Sequence, residues 1–298
     1  MAYKSPRHVA QRTLFLTYRT RAEKQYKRLL NVIMKKLQRV ISGVTNYGQM
    51  PVALERYAAT KEFNHFCEQA ARQIVTMLAV GQQHSWRAAA SASSKGRRIF
   101  LALQKELKTK QIGGAIKNII DANSLLIKTV PHNLAERFSR MAAESQYAGK
   151  RPDELLEIFK KMAPHLTDVE ARRIARTESG KAATALVEAR CDALGLGLYI
   201  WDTVDDSYVR KSHQTMEGVV CAWDDPPSPE KLAGEARTYG NYHPAGIFNC
   251  SCVPLPVVDL DDITFPARVH YHGSIRTVKN LNELRGLFGK IVARYEAA

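Results

Sequence analysis

Apolar residues recur at three- and four-residue steps from residue 7 to residue 42, which predicts one long amphipathic helix. Tyr26, Leu29, Leu30, Ile33, Met34, Leu37, Val40 and Ile41 fall on one face of it. Lys24, Arg28, Lys35 and Arg39 keep the same period on a separate stripe. Gly43 is expected to end the helix, with a loop as far as Pro51. A second helical pattern covers 52–86 and carries Leu54, Tyr57, Phe63, Phe66, Ile74, Leu78 and Trp86. The small residues from Ala88 to Ser94 read as a break or a poorly packed helix, and Arg97 to Lys110 is again helical. Gly113-Gly114 reads as a break. Helices are expected over 115–128 and 132–147, with Pro131 between them.

The pattern changes around Gly149-Lys150-Arg151-Pro152. A short helix is expected over 153–163. Thr167-Asp-Val-Glu170 then has capping-box spacing and opens a helix that runs to Leu194 and stops at Gly195. Strands are expected at Leu198–Trp201, Val253–Val258 and Ala267–Tyr271, set among Pro-, Gly-, Asn- and Asp-rich loops. Asn280-Leu-Asn-Glu283 is a second capping pattern. It opens a last helix over 280–296 with Leu281, Leu284, Leu287, Phe288, Ile291, Val292 and Tyr295 on its apolar side. The expected class is α+β: a helical domain at 1–150 followed by a small α+β domain at 151–298.

Charge sharpens this division. The chain of 298 residues carries a net +15. Residues 1–150 hold 26 Lys and Arg against eight Asp and Glu, whereas 151–298 hold 18 against 21. The excess of positive charge in the first part points to a polyanion, most simply double-stranded DNA held electrostatically. No base-reading motif accompanies it, and a merely solvated basic surface is the plainer alternative. Hydrophobic residues make up 45% of the chain, enough for a sizeable core. No apolar run approaches the ~20 residues needed to span a membrane, and the basic N-terminus lacks a signal-peptide apolar stretch. Synthesis in the cytoplasm and no membrane partner are expected. Five cysteines in a long chain do not suggest a disulfide framework.

The informative stretch is 172–258. Arg176-Thr-Glu178 lies on a predicted helix, and Trp201-Asp-Thr203 ends a predicted strand. Asp206 to His213 reads D-x-x-V-R-x-x-H, Gly218 follows shortly after, and Asn249-Cys-Ser-Cys252 comes late. In this order and spacing the segment resembles the phage head-morphogenesis family of Mu F-like minor head proteins. One departure is Ser251, where the family often has Arg. The resemblance implies a low-copy, portal-associated capsid protein of a tailed bacteriophage, needed for head assembly and located at the head interior or portal vertex. It implies the portal or major capsid protein as partner, and contact with packaged DNA or ejection alongside it.

On their own chemistry, His213, Cys250 and Cys252 supply three soft or borderline ligands, with His243 and Cys221 as candidate fourths for a structural zinc. Such a site would contribute on the order of 10 kcal/mol to folding. Against it, Cys-x-Cys is less typical of zinc than Cys-x-x-Cys, and two buried thiols beside a hydrogen-bonded histidine are the alternative. Asp205, Arg210 and His213 also unite a carboxylate, a guanidinium and an imidazole, as many active sites do. The expected role is instead a structural network that includes Glu178, with an Asp–Arg pair holding a turn. Were Tyr208 to His213 helical, Arg210 and His213 would share a face. Walker, G-x-S-x-G and H-E-x-x-H signatures do not occur in the sequence. The reading is therefore a structural protein and not an enzyme. The alternatives are a metal-dependent nuclease and a DNA-binding factor outside the virion.

Overall fold

The computed structural model describes residues 6–91, 110–147, 152–204 and 209–297. Among the described residues, six α-helices come first: α1 (Pro6–Ser42), α2 (Met50–Ala58), α3 (Lys61–Ser91), α4 (Lys110–Lys128), α5 (Val130–Tyr147) and α6 (Pro152–Leu194). Then follow β1 (Leu198–Asp202), α7 (Lys211–Gln214), β2 (Val220–Ala222), α8 (Pro229–Leu232), β3 (Val253–Pro256), β4 (Ala267–Tyr271), β5 (Ser274–Val278) and α9 (Leu281–Ala297). The chain is α+β, as its pattern predicts.

Several boundaries differ from the sequence reading, each for a local reason. The pattern over 52–86 is two helices, because Thr60 stops one and starts the next: its hydroxyl accepts from the Phe63 N–H at 3.3 Å. Gly113 and Gly114 lie inside α4 and do not break it. Pro131 is in the first turn of α5, where its missing N–H leaves no bond unmade. α6 is continuous through Pro164, and Thr167 caps nothing. The Thr167 hydroxyl donates to the Pro164 carbonyl at 3.0 Å and accepts from Gln38 Nε2 at 2.8 Å, so it is engaged within the helix and with α1. The expected features at 92–109 and 148–151 lie outside the described residues.

The compact units do not follow a single cut at residue 150. One comprises Met1–Thr20, Met77–Ile116 and Ser179–Ala298, and the other Arg21–Thr76 and Lys117–Glu178. The reason is helix length. α1, α3 and α6 have 37, 31 and 43 residues. At 1.5 Å per residue they are about 45 to 65 Å long, against about 30 Å for a small domain. Each therefore contributes residues to both units.

The all-helical unit packs the predicted face of α1: Tyr26, Leu30, Ile33, Met34, Leu37 and Ile41 are buried, with Met50, Leu54, Phe63, Ile74 and Phe138 among the other core residues. The Phe138 and Phe159 rings pack with their centroids 5.3 Å apart, tilted by 38°.

The second unit contains a five-stranded mixed sheet in the order β3-β1-β2-β4-β5. β2 and β4 pair in parallel, and the other neighbours are antiparallel. β1 is an interior strand between β3 and β2 and is buried on both faces, with Tyr199 and Trp201 on one side and Leu198 and Asp202 on the other. α9 begins as its capping pattern indicates. Asn280 Oδ1 accepts from the Glu283 N–H at 3.0 Å, and Glu283 reaches back to the Lys279 N–H at 2.8 Å. Its Leu284, Phe288, Val292 and Tyr295 are buried. The Tyr295 hydroxyl donates to the Val257 carbonyl at 2.8 Å and accepts from the Leu198 N–H at 3.2 Å, which pins the helix to the sheet.

Tyr295→Phe leaves both of those buried backbone groups without that hydroxyl. A loss of about 1–3 kcal/mol in unfolding free energy is expected by urea denaturation. An unchanged midpoint would show that the hydroxyl adds nothing to docking.

Candidate functional site

The site grows from the end of β1. The Thr203 N–H and hydroxyl both donate to Glu217 Oε2, at 2.5 and 2.6 Å. Gly218 adopts a positive φ of 71°, which glycine tolerates. It donates to the Trp201 carbonyl at 2.8 Å, and the Trp201 N–H donates to the Val219 carbonyl at 2.9 Å. The Trp-Asp-Thr element and Gly218 of the sequence pattern, together with Glu217, thus close the base of one excursion. Beneath it, buried Asp202 lies 3.3 Å from Arg12 Nε. Asp205 falls outside the described residues. α7 starts only at Lys211, and Arg210 precedes it in an extended conformation (φ −58°, ψ 145°), so Arg210 and His213 share no helical face. Arg210 instead donates to the Phe248 carbonyl at 3.0 Å and covers the Phe248 ring at 4.8 Å.

α7 carries His213 into the core, where it is buried with Cys250 and Cys252. His213 Nδ1 lies 3.5 Å from Cys250 Sγ and 3.4 Å from Cys252 Sγ. On the other side of the ring, Nε2 lies 2.9 Å from the Tyr242 hydroxyl. That hydroxyl donates to Oε1 of the fully buried Glu230. The Trp201 ring stands edge-on to the imidazole at 5.6 Å. The paired thiols diverge. Cys250 is pushed down, chiefly by its hydrogen bond with Cys252, against burial and with help from His213. Cys252 is pushed up, chiefly by its hydrogen bond with Cys250 and then by burial.

The two cysteines end an irregular loop, 243–252, which is held from elsewhere in its unit. Arg19 of α1 is buried, and its guanidinium donates to the carbonyls of Cys250 (2.6 Å), Ser251 (3.1 Å) and Cys252 (3.4 Å). Thr184 of α6 donates to the Pro244 carbonyl at 2.8 Å. Within the loop, the Ala245 N–H donates to Cys250 Sγ at 3.3 Å. Asn249 has φ 55°, a region Asn tolerates better than most residues, which accounts for the Asn of the Asn-Cys-x-Cys pattern. A Cβ on Gly180 would come within 2.8 Å of Arg19 Nη2, so glycine leaves the space the arginine uses.

Two of the candidate ligands take other partners. His243 Nδ1 lies 3.0 Å from the Tyr199 hydroxyl, and its ring packs on Trp223 at 5.0 Å. Cys221 sits opposite Tyr199 in the β1–β2 register, and burial pushes its thiol up. Among the described residues, the ligand atoms that converge within 4.8 Å are those of His213, Cys250 and Cys252. Glu178 belongs to the helical unit, where its charge acts on Tyr26 and Arg173. Lys24, Arg28, Lys35 and Arg39 are all exposed, opposite the buried face of α1. Sequence reasoning missed Arg19, Tyr242 and Glu230. Arg19 had a signal: it falls in the buried series Phe15, Arg19, Ala22, Tyr26, an arginine at a core position of the helix.

Residues 140–255 match the family model described as Phage Mu protein F like protein. The matched stretch takes in every motif from Arg176 to Cys252 and covers less than half of the chain. An uncharacterized protein of Haemophilus influenzae is 28% identical over 137 residues, which are 46% of this chain and 28% of that protein. The chain thus spans under a third of that relative's length. No solved structure matches. Among the described residues, no helix is long and apolar enough to cross a membrane.

Burial pushes the His243 imidazole down from 6.5 to about 4. Between those values the unfolded chain takes up the proton more readily than the folded one. Stability from this group is complete above pH 6.5 and declines as pH falls toward 4, by up to about 3 kcal/mol. Denaturant titrations at pH 7 and pH 5 are expected to show that decline, and His243→Gln to flatten it. Equal pH slopes in the two proteins would assign the effect to another group.

Proposed function

We propose, from the Mu F-like match over residues 140–255, that the protein is a minor head protein of a tailed bacteriophage and acts in head assembly against the portal or the major capsid protein. It is made in the host cytoplasm and ends in the virion, at the head interior or portal vertex. The match carries this reading. The motif residues support it, because most of them do architectural work: Thr203 and Gly218 close a turn, Asn249 takes a left-handed position, and Arg210 holds a loop carbonyl. Cryo-EM of the portal vertex in DNA-filled heads is expected to show density for residues 153–298 against the portal or inner shell. Absence of the chain from purified heads would remove this reading and favour a factor that acts outside the virion.

In this reading the basic part faces packaged DNA. The support is electrostatic: Lys24, Arg28, Lys35 and Arg39 form one exposed stripe on α1, in the part of the chain that holds the whole excess of positive charge. Each phosphate neutralised by such a side chain contributes about 0.9 to the slope of log affinity against log salt. Replacing all four by Gln in the full chain is expected to lower that slope by about 3 to 4 in duplex-DNA binding assays. A slope unaffected by the four changes would show that this stripe does not meet DNA.

A further inference from the structure

We propose that His213 Nδ1, Cys250 Sγ and Cys252 Sγ are three ligands of one tetrahedral zinc ion that staples α7 to the 243–252 loop. The first argument is metric. Zinc bonds of about 2.3 Å to sulfur and 2.0–2.1 Å to nitrogen, at a tetrahedral angle, put nitrogen and sulfur about 3.5 Å apart. Nδ1 stands 3.5 and 3.4 Å from the two sulfurs, and all three ligand atoms lie within 4.8 Å of one another.

The second argument is valence. Nδ1 has one lone pair in its ring plane and can accept one S–H, yet two sulfurs approach it at nearly equal distance. A cation between the three atoms satisfies them together. The hydrogen-bond order on the far side of the ring leaves that lone pair available. The Tyr242 hydroxyl gives its proton to Glu230 Oε1, so its oxygen accepts from Nε2–H, and the imidazole is the tautomer with an open Nδ1. A carboxylate acting on a ligating histidine through its second nitrogen is how metal sites orient imidazole, here relayed by a tyrosine. Glu230 is a positioning residue in this arrangement.

The third argument is charge and hardness. One imidazole and two thiolates favour zinc over calcium or magnesium, which take oxygen ligands. A dication also balances two thiolates in a site where all three side chains are buried. The Ala245 N–H directed at Cys250 Sγ and the Arg19 guanidinium on the loop carbonyls add positive potential around the sulfurs.

The experiment uses the full chain, expressed in zinc-containing medium. Native mass spectrometry and elemental analysis are expected to find one zinc per chain. Exchange for cobalt(II) is expected to give tetrahedral ligand-field bands with thiolate charge-transfer absorption. Cys252→Ser should weaken that charge transfer. Glu230→Gln, which keeps the shape of the side chain, should lower zinc affinity about 10- to 100-fold with the same cobalt spectrum. A folded, metal-free wild-type chain that gives no cobalt spectrum overturns the proposal. So does a cobalt spectrum identical in wild type and Cys252→Ser, which would put the metal elsewhere. A Cys250–Cys252 disulfide in freshly purified protein also overturns it.

Discussion

The 243–252 loop has little secondary structure of its own, and its backbone carbonyls must nonetheless be satisfied in a partly buried setting. Distant parts of one unit supply the donors: Arg19 to the three carbonyls around Cys250 and Cys252, Thr184 to Pro244, and Arg210 to Phe248. Everything at the candidate site depends on that tethering. Without it the two thiols have no fixed place beside His213, and Asn249 and Ala245 have nothing to hold them at positive φ. Burying the Arg19 charge is favourable only because several acceptors meet it at once.

This explains how a Mu F-like pattern of scattered short motifs produces a single object. Most of the described residues of the pattern take structural parts. They close turns, cap loops and fill a core in which Trp201, Tyr199 and Tyr242 surround the polar cluster. The contrast with α1 is instructive. There the basic residues are exposed and make the long helix a positive surface, and nothing about them requires a defined pocket.

Much of the architecture was legible because it is periodic. The extent of α1, its buried and basic faces, strands β1, β3 and β4, and the cap that opens α9 all follow from spacings within a few turns or residues. β2 and β5 were missed: one is three residues long, and neither has an apolar alternation strong enough to stand out. Pro164 and Gly113-Gly114 resemble breaks in a local reading. The helices continue through them because packing along their length outweighs about 1 kcal/mol per glycine and the single hydrogen bond a proline forfeits.

By itself the sequence determined the long helix α1 and its apolar face, strands β1, β3 and β4, where the positive charge lies, and the ordered motifs that give residues 140–255 their likeness to the Mu F-like family. Tertiary structure alone decided the partners. It set His213 against Cys250 and Cys252, gave His243 and Cys221 to Tyr199, and brought Arg19 to a loop 231 residues away in the chain. Periodicity records only neighbours along the chain. Contacts across such distances arise from the packing of whole elements, which no local spacing encodes.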